Sequence, residues 1–143
     1  MSNISSNWWI YALLSAVFAA ITATLAKMGV KGIDSDLAMA IRTSVVLILV
    51  WSIAYFRGAI PHINALTPQN YLFLGLSGMA TGASWLFYFR ALKIGDVSKV
   101  APVDKLSVVF AIVFAIIFLG EKPNFQTILG ALLILIGAIV IIL

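Results

Sequence analysis

Cysteine is absent from this sequence and histidine occurs once. The chain therefore has no disulfide, no thiolate metal site and no thiol nucleophile. Its single histidine, His62, lies in a proline-containing loop, which disfavours a metal or proton-transfer role. Because the sequence also lacks a phosphate-cradling glycine loop and a nucleophile placed with a histidine base, an enzyme is disfavoured and no metal or cofactor is expected.

Charged residues are also scarce, at 10% of the chain, and nine basic against five acidic residues give a net charge of +4. The basic residues are scattered near the ends of apolar runs and form neither a stripe nor a cluster. Nucleic-acid binding needs such a concentration of positive charge, so it is excluded as a function. Membrane topology is the better explanation of the charge.

What the chain does contain is apolar sequence, with hydrophobic residues making up 63% of it. Five long apolar runs cover about residues 8–28, 37–56, 70–89, 98–119 and 125–143. A hydrocarbon core of about 30 Å needs about 20 helical residues, and lipid forces every backbone amide to pair within its own segment. The sequence therefore predicts an all-α integral membrane protein with five transmembrane helices, residues 1–143 forming one domain in the lipid bilayer. No cleaved signal is expected.

Short connections carry helix start and stop signals. Asp34, Ser35 or Asp36 is expected to cap the second helix, and Thr67 with Pro68 to begin the third. The segment 95–98 opens the fourth helix in a similar way. The segment 120–124 is so short that the fourth and fifth helices should be antiparallel neighbours.

The distribution of lysine and arginine predicts the orientation. The face that holds the amino terminus has two basic residues, and the opposite face has seven. These are Arg57 and Lys122 on the first, and Lys27, Lys31, Arg42, Arg90, Lys93, Lys99 and Lys105 on the second. The positive-inside rule then places the amino terminus outside and the carboxyl terminus inside.

The fourth run differs from the others because Pro102, Asp104 and Lys105 precede its uninterrupted apolar part. A short, proline-interrupted span is a sequence pointer to the binding region of a transporter, and ionisable groups in a membrane normally find partners. Asp104 is expected to pair with Arg42, which lies about 9 Å into the second helix. Arg90 and Lys105 are rival partners.

The candidate residues for substrate binding or coupling are therefore Asp104, Arg42, Lys105, Arg90, Trp85 and Tyr88. Two alternatives to such a role stay open. Asp104 and Arg42 could form a purely structural pair while Lys105 extends to the interface. Trp85 and Tyr88, one turn apart in the third helix, could line a cavity or anchor the helix at the interface. Glu121 is expected to cap or solvate a helix end.

Glycines mark the expected helix-packing faces, since small residues let membrane helices approach closely. They are Gly75, Gly78 and Gly82 in the third helix, and Gly130 and Gly137 in the fifth. Packing within the monomer is the favoured interpretation, and dimerisation through one such face is the alternative.

Several motifs together resemble the EamA-type domain of the drug/metabolite transporter superfamily. They are the segments 88–95, 100–107 and 118–122, the closing helix with its two glycines, and the segments 31–38 and 40–43. The resemblance implies half of a ten-helix architecture of two oppositely oriented repeats, here a single repeat of the five-segment bacterial and archaeal branch. It also implies export or exchange of small metabolites by alternating access around a central cavity.

The first apolar run contains no carboxylate, unlike the related four-helix small multidrug exporters, which disfavours proton-coupled export of hydrophobic cations. The sequence thus predicts a secondary transporter subunit for a small polar solute in a bacterial or archaeal cytoplasmic membrane. It would act as a homodimer or with an oppositely oriented paralogous subunit. The alternative is a non-transporting membrane subunit that stabilises or regulates a partner protein.

Overall fold

A computed structural model describes residues 7–143, and every regular element in this range is helical. The elements are α1 (Trp8–Gly29), α2 (Ser35–Phe56), a 3-10 helix (Ile60–Ala65), α3 (Pro68–Ile94), α4 (Val97–Asp104), α5 (Ser107–Leu119) and α6 (Phe125–Ile142). Taking α4 and α5 as one span, five helices are long and apolar enough to cross a membrane. The predicted fold class, an all-α protein with five membrane spans, is confirmed.

The surface of these helices is apolar, as a lipid-facing protein requires. Phe56 is 86% exposed and Ile94 90%, whereas few large side chains are fully buried. Hydroxyl groups within the spans donate to the carbonyl four residues earlier in the same helix, which satisfies them without water. These bonds join Thr24 to Ala20, Thr43 to Met39, Ser44 to Ala40, Ser52 to Ile48 and Thr81 to Ser77.

Side-chain caps begin three of the helices. An Asp34 carboxylate oxygen accepts from the backbone N–H groups of Asp36 and Leu37, which selects Asp34 among the three expected caps of α2. The hydroxyl of Thr67 accepts from the Asn70 N–H ahead of α3. Asn124 caps α6 through the Thr127 N–H at 2.8 Å.

Asp96 departs from the expected pattern at the start of α4. It occupies the N-cap position with extended backbone angles, but its side chain makes no capping hydrogen bond. Its backbone carbonyl accepts from the N–H groups of Lys99 and Val100. The start of α4 therefore relies on backbone bonds alone.

The fourth span is interrupted, and the interruption lies just after Pro102. α4 ends at Asp104 and α5 begins at Ser107. At the join the backbone bonds tighten to three-residue spacing: Lys105 donates to Pro102 and Leu106 to Val103. Pro102 has no N–H to donate to the Ser98 carbonyl, so the turn just before the break lacks one helical hydrogen bond.

The described chain divides into two compact units. In the unit Ala26–Ile94, α2 packs against α3, and Val30 and Leu92 are its largest fully buried side chains. α3 runs to Ile94, five residues past the predicted end of the third run at residue 89.

The other unit comprises residues 7–25 together with Gly95–Leu143. In it, α6 packs against both α4 and α5. Gly120 ends α5 in the left-handed conformation, φ +67°, and the Glu121 N–H donates to the Ala115 carbonyl. This reversal makes α5 and α6 packed neighbours, as expected from the short connection.

Candidate functional site

Arg42 is the central polar side chain of the Ala26–Ile94 unit. It lies on the second turn of α2, and its guanidinium carbon is 4.2 Å from the centroid of the Trp85 ring and 5.8 Å from that of Phe89. Trp85 and Phe89 are one turn apart on α3, so both rings point to the same side of that helix. We call these three residues the arginine–aromatic cluster.

The cluster places a permanent charge in a partly buried, aromatic environment. Phe89 is only 3% exposed, and Arg42 and Trp85 are half-buried. Nη1 of Arg42 is buried and has no hydrogen-bond acceptor in the described structure. Cation–π attraction to the rings offsets part of the desolvation, at about 0.5–2 kcal/mol, but it leaves the N–H donor unused.

An ion pair between Asp36 and Arg90 lies next to this cluster. Nη2 of Arg90 is 2.9 Å from one carboxylate oxygen of Asp36, and Nε donates to the other at 3.2 Å. This two-point contact joins the first turn of α2 to the end of α3. Both side chains are about half exposed, so the pair lies at the edge of the apolar region.

Lys27 adds a third polar contact in the same unit. Its Nζ donates to the backbone carbonyl of Leu92 at 2.7 Å, which ties the end of α1 to the last turn of α3. Three basic side chains, those of Lys27, Arg42 and Arg90, thus contact α3 or the start of α2 within this unit.

Asp104 and Lys105 lie in the other unit, at the break in the fourth span. Nζ of Lys105 is 3.4 Å from a carboxylate oxygen of Asp104, and the aspartate side chain is 35% exposed. Because the two residues are adjacent in sequence, this ion pair does not connect the end of α4 to another helix. Lys105 is thus the partner that the structure gives Asp104, and the pairing of Asp104 with Arg42 stays a prediction.

The remaining predicted residues are placed as follows. Tyr88 is half-buried on α3, one turn from Trp85. A methyl group added at any of Gly75, Gly78, Gly82, Gly130 or Gly137 would meet nothing within 4 Å. The glycine faces are therefore open, and their role in helix packing stays a prediction.

Sequence reasoning missed two features of the site. It did not pair Asp36 with Arg90, although the two residues lie at helix ends on the same predicted face. It also weighed Arg42 and Trp85 separately and did not predict their contact. The available signal for the second contact was the first one, because pairing Asp36 with Arg90 sets an antiparallel register that brings Arg42 near Trp85.

A groove of about 550 Å³ occupies the surface of the α5–α6 pair. It is lined by Val108, Ala111, Ile112, Ala115, Ile116, Glu121, Lys122, Pro123 and Thr127. Its walls are mostly apolar, and Glu121 and Lys122 supply its charges. Among residues 7–143, no three histidine, aspartate or glutamate side chains come close enough together to hold a metal ion.

Comparison with known proteins gives one family and two named relatives. Residues 6–143 match the model of the EamA-like transporter family. The chain is 49% identical over 138 residues to an uncharacterized transporter in the cobO 3' region of Sinorhizobium sp., covering 96% of this chain and 98% of that protein.

The second relative is human solute carrier family 35 member G1, which is 34% identical over 131 residues. The match covers 85% of this chain but 33% of the human protein. No solved structure matches the chain significantly.

Proposed function

The chain belongs to the EamA-like transporter family, and from this premise we propose that it is a subunit of a secondary carrier. The carrier moves a small polar metabolite across the membrane by alternating access. Family membership, the transporter-named relatives and the five spans support the transport role. The substrate class and the mechanism are our inference from the charged groups within the spans.

The break in the fourth span is the observation that carries this proposal. α5 has only 13 residues, about 20 Å of helix, and it is preceded by Pro102 and the Asp104–Lys105 pair. Discontinuous helices with polar groups at membrane depth mark binding regions in secondary transporters. Ionisable residues at this depth are costly, and they are normally retained for a solute or ion pathway.

A pathway of this kind needs more than one copy of a five-helix chain. We propose a homodimer, or a dimer with an oppositely oriented paralogous subunit. The open glycine faces of α3 and α6 support this, because small residues permit close approach of a second helix.

The carrier is proposed to lie in a bacterial or archaeal cytoplasmic membrane with its amino terminus outside. The two-to-seven distribution of basic residues supports this orientation. A reporter fused to the carboxyl terminus tests it. Signal only on the cytoplasmic side would agree with the orientation and contradict an antiparallel homodimer.

Flux through the purified protein in liposomes tests the transport function. A panel of polar solutes is screened with and without a pH gradient, and at least one is expected to cross in a protein-dependent manner. Asp104→Asn is expected to abolish this flux while the protein remains folded. Asp96→Asn is the matched control, because Asp96 is exposed and its side chain makes no capping bond.

The outcome that contradicts the proposal is a folded protein that moves no solute under any condition. That result would favour the non-transporting membrane subunit, in which the charged pairs are only structural. Loss of flux in the Asp96→Asn control would show that any change of charge near α4 is harmful, and Asp104 would then lose its assigned role.

A further inference from the structure

We propose that the groove along α5 binds one phospholipid with a primary ammonium headgroup, phosphatidylethanolamine. In this site an acyl chain lies along the apolar floor of the groove, the lipid ammonium donates to the Glu121 carboxylate, and the Lys122 ammonium binds the lipid phosphate. The site uses neither Asp104 nor the arginine–aromatic cluster, so the inference goes beyond the proposed transport function and does not depend on it.

The floor of the groove is one face of α5. Its five residues on this helix recur at the three- and four-residue spacing of a helical face, and the alanines among them are one turn apart. They are Val108, Ala111, Ile112, Ala115 and Ile116. Val108 is 39% and Ile116 43% exposed. Small side chains between larger exposed ones leave an apolar furrow that a flexible hydrocarbon chain can fill.

The length of the groove corresponds to one leaflet of a bilayer. The charged segment 120–124 follows α5 and marks the interface end of the groove. Val108 lies eleven residues before Leu119, the last residue of α5, which is about 16 Å along the helix axis. Half of a hydrocarbon core of about 30 Å is about 15 Å. This length matches a lipid chain, whereas a second spanning helix would pack along both leaflets.

The interface end of the groove carries one charge of each sign. Glu121 and Lys122 both line it, and both are exposed. Neither side chain takes part in an ion pair among residues 7–143. A zwitterionic headgroup complements these two charges, because its phosphate accepts from Lys122 and its ammonium binds Glu121.

The carboxylate of Glu121 also discriminates between headgroups. The primary ammonium of phosphatidylethanolamine donates hydrogen bonds to a carboxylate, and the quaternary ammonium of phosphatidylcholine has no N–H to donate. The net negative headgroup of phosphatidylglycerol is attracted by Lys122 but repelled by Glu121. Phosphatidylethanolamine is therefore the lipid that satisfies both charges.

Competition between headgroups tests the inference. The full chain is purified in detergent, stripped of lipid, and titrated with phosphatidylethanolamine, phosphatidylcholine or phosphatidylglycerol of identical acyl chains. Native mass spectrometry counts the bound lipids, and thermal unfolding measures the stabilisation. We expect the first phosphatidylethanolamine to bind about 2- to 5-fold more tightly than either other lipid, the effect of an exposed charged contact.

Three variants locate the site. Glu121→Gln should remove the preference for phosphatidylethanolamine over phosphatidylcholine and the disadvantage of phosphatidylglycerol. Lys122→Gln should weaken both zwitterionic lipids equally, because both lose the same phosphate contact. Ala111→Leu fills the groove and should weaken all three lipids by about 10-fold, as expected if about two methylene groups lose their contact.

Matched controls come from exposed residues that do not line the groove, and each should bind lipid like the wild type. They are Asp96→Asn for the acidic variant, Arg57→Gln for the basic variant and Ala19→Leu for the groove variant. If Ala111→Leu does not fold, the two charge variants still decide the test, because both lie at exposed positions.

Several outcomes would overturn the proposal. Equal affinity for the three lipids, or a preference for phosphatidylethanolamine that persists in Glu121→Gln, would contradict headgroup recognition. Tightest binding of phosphatidylglycerol would show that Lys122 acts alone. If no lipid binds and Ala111→Leu instead changes the fraction of dimer, a second copy of the chain covers the groove and the assignment to a lipid is wrong.

Discussion

Replacing Pro102 with alanine should make the protein more stable and its transport slower. Pro102 lies inside α4, two residues before that helix ends, and it cannot donate to the Ser98 carbonyl. Alanine restores this donor and removes the contact of the proline ring with the preceding turn. It also allows the three-residue bonds at Lys105 and Leu106 to relax toward the four-residue spacing of a continuous helix.

The expected increase in the free energy of unfolding follows from these changes. One restored hydrogen bond contributes about 1 kcal/mol, and the full helix-interior penalty of proline is about 3 kcal/mol. An increase in the free energy of unfolding between these two values corresponds to a rise in melting temperature of about 2–10 °C for a chain of this size. If the break in the fourth span belongs to the moving part of the carrier, a continuous helix should reduce the rate of flux.

Two measurements check the prediction: thermal unfolding in detergent and uptake in liposomes. Pro61→Ala is the matched control, because Pro61 lies in the exposed 3-10 helix and its replacement should lower the melting temperature slightly or leave it unchanged. A Pro102→Ala protein that is no more stable than the wild type would refute the stability reasoning. Higher stability with unchanged flux would refute the functional role of the break.

Substitutions at three other places have defined outcomes. Asp34→Ala removes the side-chain cap of α2 and should cost about 0.5–2 kcal/mol, seen as a lower melting temperature; an unchanged melting temperature would contradict the cap. Gly120→Ala should cost about 1–2 kcal/mol from backbone strain alone, because no atom lies within 4 Å of the added Cβ. Asp36→Arg and Arg90→Asp should each reduce melting temperature and uptake, and the double exchange should recover both; no recovery in the exchange would show that their contact is not what matters.

The local features of this fold could be predicted from the sequence because they depend on neighbouring residues. Span length, hydropathy and the Thr67–Pro68 start are encoded within a few turns of helix, and the structure confirms them. The third apolar run is predicted to span about residues 70–89, and α3 extends beyond it at the carboxyl end. A helix continues past the hydrocarbon region when its backbone bonds continue, so α3 reaches Ile94.

Contacts between spans could not be predicted in the same way, because they depend on the register of helices far apart in sequence. Asp36 and Arg90 are 54 residues apart. Once Asp36 and Arg90 are paired, the antiparallel register of α2 and α3 follows. Arg42 lies six residues after Asp36 in α2, and position 84, next to Trp85, lies six residues before Arg90 in α3. The register therefore brings Arg42 close to Trp85. One long-range contact thus predicts the other, but hydropathy alone supplies neither.

Because the apolar length of α5 is short, the protein should also be sensitive to the thickness of its membrane. Its 13 residues cover about 20 Å, while the hydrocarbon core is about 30 Å thick. Such hydrophobic mismatch is relieved when the bilayer thins locally or when water and protein cover the polar turns. Because α4 extends the fourth span to 23 residues, the bilayer, water or protein must accommodate the polar turns at the break rather than a span that is too short. In bilayers built from lipids of increasing chain length, the energetic cost should be concentrated at this break.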